Sequence, residues 1–145
     1  LLLWVHNLLA WLVLVTGVLV IVRAATRAPT WSDADTAWVR RLTLLVHLQL
    51  VAGLALWFTS PAVAAARATM STTMQDPALR RLVVEHPTLM LLAAITATIA
   101  SVRVRKASGS LIKAKTALVG VALTLALIAA VLPWARLVTV WTGDV

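Results

Sequence analysis

The chain has 145 residues, is 61% hydrophobic, and carries 13 Lys and Arg against 5 Asp and Glu, for a formal charge of +8. That hydrophobic share exceeds the roughly 45–50% of ordinary domains, and the mean hydropathy is +0.95. There is no cysteine, which excludes disulfides, thiolate metal sites, iron–sulfur clusters and thiol nucleophiles. The cationic excess does not point to nucleic acid, because the charges flank apolar runs and form no basic face.

A bilayer core about 30 Å thick needs about 20 apolar residues of helix. Four runs meet that need, at 1–22, 42–59, 87–104 and 114–132. They predict an all-α protein, a single integral membrane four-helix domain over residues 1–145. The first run reads as a retained helix. It lacks a basic n-region and a clean small-x-small site, and it is too long for a cleaved signal peptide. It ends at Arg23 and Arg27, and Ser32 or Asp33 is the N-cap expected on the approach to the second span. The second span begins after Arg40 and Arg41 and ends before Ser60-Pro61.

The longest connection is 61–85. Its Asp76-Pro77 pair reads as an N-cap followed by an N1 proline. A short helix is therefore expected from Pro77 through Arg80, Arg81 and Val84. Pro87 disfavours helical geometry at His86 and removes a donor. That predicts a break or kink there, with the third span starting afresh at Pro87. The third span closes in Arg103, Arg105 and Lys106. A Ser-Gly-Ser turn at 108–110 leads through Lys113 and Lys115 into the fourth span, which Pro133-Trp134 terminates.

The loops after spans one and three hold Arg23, Arg27, Arg40, Arg41, Arg103, Arg105, Lys106, Lys113 and Lys115. The other side holds Arg67, Arg80, Arg81 and Arg136. Basic residues collect on the cytoplasmic side, so both termini and the long connection are expected outside. Trp4, Trp57 and Trp134 then mark the outer interface, and Trp38 the inner one.

His6, His47 and His86 are the only side chains in or beside the spans with obvious cofactor chemistry. With a rise of about 1.5 Å per residue, His6 and His86 share a level near the outer surface. His47 is expected on the order of 15 Å deeper, too far to share one ion with them. His6, Ala10, Val13 and Gly17 fall on one stripe, as do His86, Met90, Ala93, Ala97 and Ser101 if the helix runs on past Pro87. Small residues in such stripes leave room for a flat cofactor or let helices pack closely. An ionisable residue well inside a bilayer is a functional candidate by default, which applies best to His47. The competing reading is a neutral imidazole bonded to a neighbouring helix. Gln49 points nearly opposite to His47. Glu85 either fixes the tautomer of His86 or faces water. No two histidines have i, i+3 or i+4 spacing, so there is no local metal motif. No Ser/His/Asp arrangement, phosphate loop or HExxH is present.

The segments His6-Asn7-Leu8-Leu9-Ala10-Trp11-Leu12-Val13, His47-Leu48-Gln49-Leu50-Val51-Ala52-Gly53-Leu54, Glu85-His86-Pro87-Thr88-Leu89-Met90 and Leu132-Pro133-Trp134 follow one another in a telling order. With them the chain resembles, over nearly its whole length, a family of small four-helix bacterial membrane proteins labelled cytochrome b-like. The resemblance implies a b-type haem held by histidines between helices, with His6, His47 and His86 at the matching positions. Many members carry a further histidine before the last helix. Here that stretch reads Leu111-Ile112-Lys113-Ala114-Lys115, which takes a ligand away from a two-haem arrangement.

Matched depths favour His6 and His86 as the pair on the haem iron. Arg80, Arg81 or Arg136 would meet the propionates as charge-assisted pairs. His47 is then a second site, a donor to a quinone, or the ligand itself. This reading describes a haem b electron-transfer subunit in the bacterial cytoplasmic membrane, not a stand-alone catalyst. Its partners are the lipid bilayer and a larger membrane complex or a quinone. A second reading is a cofactor-free or pigment-binding accessory subunit of a respiratory or photosynthetic complex. A third, a metal transporter, needs a polar path, and Thr16, Thr96, Thr98 and Thr124 are too few to make one.

Overall fold

The computed structural model describes residues 1–132. All of their regular structure is helical: α1 (Leu2–Thr26), α2 (Asp33–Thr59), α3 (Pro61–Ala68), α4 (Met70–Gln75), α5 (Pro77–Arg80), α6 (His86–Lys106) and α7 (Ser110–Val131). A 3-10 turn, Ala28–Thr30, follows α1, and a π-helical turn, Arg81–Glu85, joins α5 to α6. The segments Leu2–Thr26, Asp33–Thr59, Pro77–Lys106 and Ser110–Val131 are each long and apolar enough to cross a membrane. Four such helices suit a multi-pass membrane protein. The expected stop at Pro133-Trp134, and the residues Trp134 and Arg136, lie outside the described residues.

The long helices bury narrow stripes. In α1 these are Ala10, Val13, Gly17, Val20 and Ala24, and in α7 Ala114, Ala117, Val121, Thr124 and Ile128. Alternating steps of three and four keep one seam turned to the neighbours over the whole length. The opposite faces are apolar too: Leu8, Leu12, Val15 and Val22 of α1 point outward. A helix that is apolar all round suits lipid. Lipid gives no hydrophobic drive to helix association, so close approach through small residues has to supply it. A methyl group on Gly17 would meet the Leu125 side chain at 2.7 Å, and one on Gly120 would collide with Ala100. The stripes below the histidines are thus closed by helix packing. Around the bundle, α1 and α6 each pack on both α2 and α7, so α1 and α6 stand diagonally across from one another.

The corner between α1 and α2 is built on Asp35, which is wholly buried. Its Oδ1 accepts from Nε and Nη2 of Arg23 at 2.8 and 2.7 Å, with Arg27 Nη1 at 3.9 Å. Its Oδ2 accepts from the Ser32 N–H and hydroxyl at 2.8 and 2.7 Å. Ser32 is the N-cap of α2 and forms a capping box with Asp35. The carboxylate also lies in the first turn of α2, where the helix dipole favours negative charge. The buried Trp31 donates its indole N–H to Thr36, and its carbonyl accepts from the Ser110 hydroxyl. One short loop therefore ties α1, α2 and the start of α7.

At the other end, the connection after α2 is more helical than expected. Ser60-Pro61 repeats the cap-then-proline signal of Asp76-Pro77 and starts α3. The Asp76 carboxylate accepts from the Ala78 and Leu79 N–H groups, as the sequence predicts. Thr73, fully buried, pins α4 to α3 through a 2.7 Å bond to the Ala66 carbonyl.

The break expected at His86 does not occur. Arg80, Arg81, Glu85 and His86 all keep right-handed helical dihedrals, and the chain passes Pro87 through the π turn. In a regular α-helix the ring of Pro87 would strike the carbonyl four residues back, that of Val83, and leave it without a donor. The wider turn relieves the clash, and the Trp57 indole donates to the Val83 carbonyl at 3.0 Å. Trp57 is therefore an internal brace, as well as an aromatic residue at that end of the bundle.

Two stability predictions follow from these contacts. Asp35→Ala leaves Arg23 without its buried partner and is expected to cost about 3–5 kcal/mol. In detergent its thermal unfolding should fall well below that of Asp33→Asn, which changes an exposed residue. Trp57→Phe removes the donor to Val83 and should cost about 1–3 kcal/mol. In a Pro87→Ala background, where residue 87 supplies its own N–H, the same change should cost less. A double-mutant cycle measures that coupling.

Candidate functional site

Because α1 and α6 are diagonal, side chains on their inner faces meet at the centre of the bundle. His6 and His86 do so near the end that carries α3–α5. Their ring centres are 6.2 Å apart with the planes at 64°. Both rings are half-buried.

Each ring is oriented by a helix beside it. The His86 Nδ1 lies 3.3 Å from the Val131 carbonyl of α7. A carbonyl only accepts, so Nδ1 carries the proton and Nε2 keeps its lone pair. That is the arrangement found in metal-bound histidines whose second nitrogen is fixed by a backbone carbonyl. Glu85 has no part in it, since it is held by Arg80 at 2.7 Å and lies 4.0 Å from Arg81.

His6 is held by α2. Its Nε2 lies 3.2 Å from the Gln49 amide nitrogen. With that nitrogen donating, the His6 proton sits on Nδ1, which is buried without an acceptor, while Gln49 Oε1 is buried without a donor. Exchanging the amide oxygen and nitrogen makes Nε2 the donor to Gln49 and leaves Nδ1, still without a partner, with the free lone pair that a metal ligand needs. Unpaired buried polar groups are rare and costly, and here two belong to one contact. Gly53 makes room for the ring: a methyl group there would stand 3.1 Å from His6 Cε1.

His47 is not part of the pair. Gln49 faces inward, so His47, two residues away, lies on the outer side of the α2–α6 seam. Its Nε2 is 3.2 Å from the Thr98 hydroxyl. Thr98 already donates to the Ala94 carbonyl, so His47 donates to Thr98. The expected depth difference of 15 Å is not found. His6 is level with Gln49 and Gly53, which places it about 3–9 Å above His47 along α2. The discrepancy arises because α2 continues six residues past Gly53 to Thr59, whereas α1 begins only four residues before His6. Facing, more than depth, separates His47 from the pair.

Arg80 and Arg81 lie on the outer side of the π turn. Arg80 is committed to Glu85 and to the Met74 carbonyl, 3.1 Å away, and Arg81 is exposed with a longer contact to Glu85. Among the described residues there is no group of three His, Cys, Asp or Glu that could hold a metal ion. The hydroxyls of Thr96, Thr98 and Thr124 donate to carbonyls of their own helices and line no polar path. Sequence reasoning missed Gln49 and Val131 as the groups that orient the rings. Gln49 could have been found as the polar residue opposite His47. Val131 acts through its backbone, and no side-chain signal marks it.

A bis-imidazole iron site needs two imidazoles that each offer a free nitrogen to one ion. Two imidazoles sharing one ion across bonds about 2 Å long have ring centres about 6 Å apart. The observed spacing, the free His86 lone pair and the orphaned atoms at His6 all fit such a group. No family model matches the chain, and comparison with curated proteins and with solved structures finds none similar to it.

Gly53→Ala tests how closely α2 controls this ring. It is expected to push His6 by a few tenths of an ångström, because the ring already fills the space of a Cβ. In a 15N-histidine NMR spectrum the His6 signals should move while those of His47 stay in place.

Proposed function

We propose that the protein is a small b-type cytochrome-like subunit of a bacterial cytoplasmic membrane, in which His6 and His86 would hold one haem. The observation that carries this reading is the facing of two imidazoles at 6.2 Å across the bundle centre, one of them held by a backbone carbonyl. When bound, haem would supply one-electron chemistry. The chain's own part is orientation and exclusion of water. Val131 holds His86 by Nδ1, Gln49 holds His6 by Nε2, and the packed stripes of Ala10, Val13, Ala93 and Ala97 keep the interior below them dry. Arg81, the less committed of the two arginines, is the better placed to meet a propionate. In this reading the two basic loops face the cytoplasm, and the termini and α3–α5 lie outside.

The test is a dithionite-reduced minus oxidised visible spectrum of detergent-purified protein expressed with ample haem. A sharp b-type α-band is expected for the wild type. It should be lost in His6→Ala and in His86→Ala and kept in His47→Ala. A flat wild-type spectrum would favour the accessory-subunit reading, in which the same substitutions leave copurifying partners unchanged.

A further inference from the structure

The α2–α6 seam opens toward the end that carries α3–α5 into a groove of about 570 Å³. Its walls include Leu50, Leu54 and Phe58 of α2, Met70 of α4, and Val84 and Leu91 of the third span. That volume lies within the range of small-molecule sites. Arg67, at the end of α3, is the one charged residue lining it. Its guanidinium stacks 4.2 Å over the Trp57 ring and 5.9 Å from that of Phe58. Its Nε is buried with no hydrogen-bond partner. None of the ion pairs among the described residues involves Arg67. The acid nearest in sequence, Asp76, caps α5 through the Ala78 and Leu79 N–H groups, and the next, Glu85, is taken by Arg80 and Arg81. A stacked guanidinium with an orphaned N–H at the head of a long apolar groove has the polarity of an amphiphile site.

We propose that this groove binds an anionic phospholipid, its phosphate at Arg67 and an acyl chain along Leu54 and Leu91. Charge complementarity selects the anionic head. The groove has a free cation and no free carboxylate to receive the ammonium of a zwitterionic lipid. Arginine is also suited to a phosphate, whose oxygens can accept from its planar fork. The site is separate from the histidine pair and does not depend on haem.

The test uses the full chain purified in detergent and mixed with equal amounts of phosphatidylglycerol and phosphatidylcholine, with retained lipid counted by native mass spectrometry. The wild type is expected to prefer phosphatidylglycerol about fivefold, the size of one well-placed cation. Arg67→Gln should bring the ratio to about one, while Arg80→Gln leaves it unchanged. Leu54→Trp fills the groove with Arg67 intact and should remove the retained lipid, which keeps the test decisive even if Arg67→Gln fails to fold. Excess glycerol phosphate should not displace the lipid. A preference that survives Arg67→Gln, lipid retained by Leu54→Trp, or displacement by glycerol phosphate alone would each overturn the proposal.

Discussion

A single carboxylate sets the geometry of the bundle at its loop-poor end. Asp35 gathers Arg23 of α1, Arg27 just past its end, and the cap of α2 around one buried point. In water such a cluster would barely offset the cost of desolvating its charges. Here the arginines that close α1 already need a counter-charge, and Asp35 supplies it. Fixing where α1 stops and α2 starts also fixes their register. That register brings Gln49 and Gly53 level with His6 forty residues away in sequence.

The interior shows a consistent economy of polar groups. The hydroxyls of Thr96, Thr98 and Thr124 are satisfied within their own helices, and Ser32 and Asp35 serve as a cap. Among the described residues orphans are few, and two of the four belong to the contact between His6 and Gln49, with a third at Trp11 on the same helix as His6. A third neighbour capable of both giving and taking a hydrogen bond, or of taking a lone pair, would complete the contact. The fourth orphan belongs to Arg67, at the same end of the bundle.

The four long helices were legible because each is apolar over its whole circumference and ends in Arg, Lys or Pro. The caps at Ser32 and Asp76 were legible for the same local reason. What the sequence did not reveal was tertiary. Pro87 looked like a break because its effect was weighed along one helix, whereas an indole from α2 supplies the missing donor. Hydropathy overstates the depth of His47, because α2 is longer than its apolar core. The small-residue stripes beneath the histidines admitted two meanings. Gly17 against Leu125, and the burial of Ala93 and Ala97, show that they serve packing within this chain.

The π turn has a consequence for how the protein could vary. An extra residue in one helical turn advances the phase of everything that follows by about 100°. The segment before it and the helix after it therefore need not share a hydrophobic face, and each can be matched to its own surroundings. Arg80 and Arg81 look outward while His86, less than two turns on, looks to the bundle axis. Loss of one residue between 81 and 85 would force a choice between the two, turning either the cap or the histidine out of place. Substitutions in α3–α5 carry no such penalty, so that end of the molecule is free to change its chemistry while the ring at its centre keeps its aim.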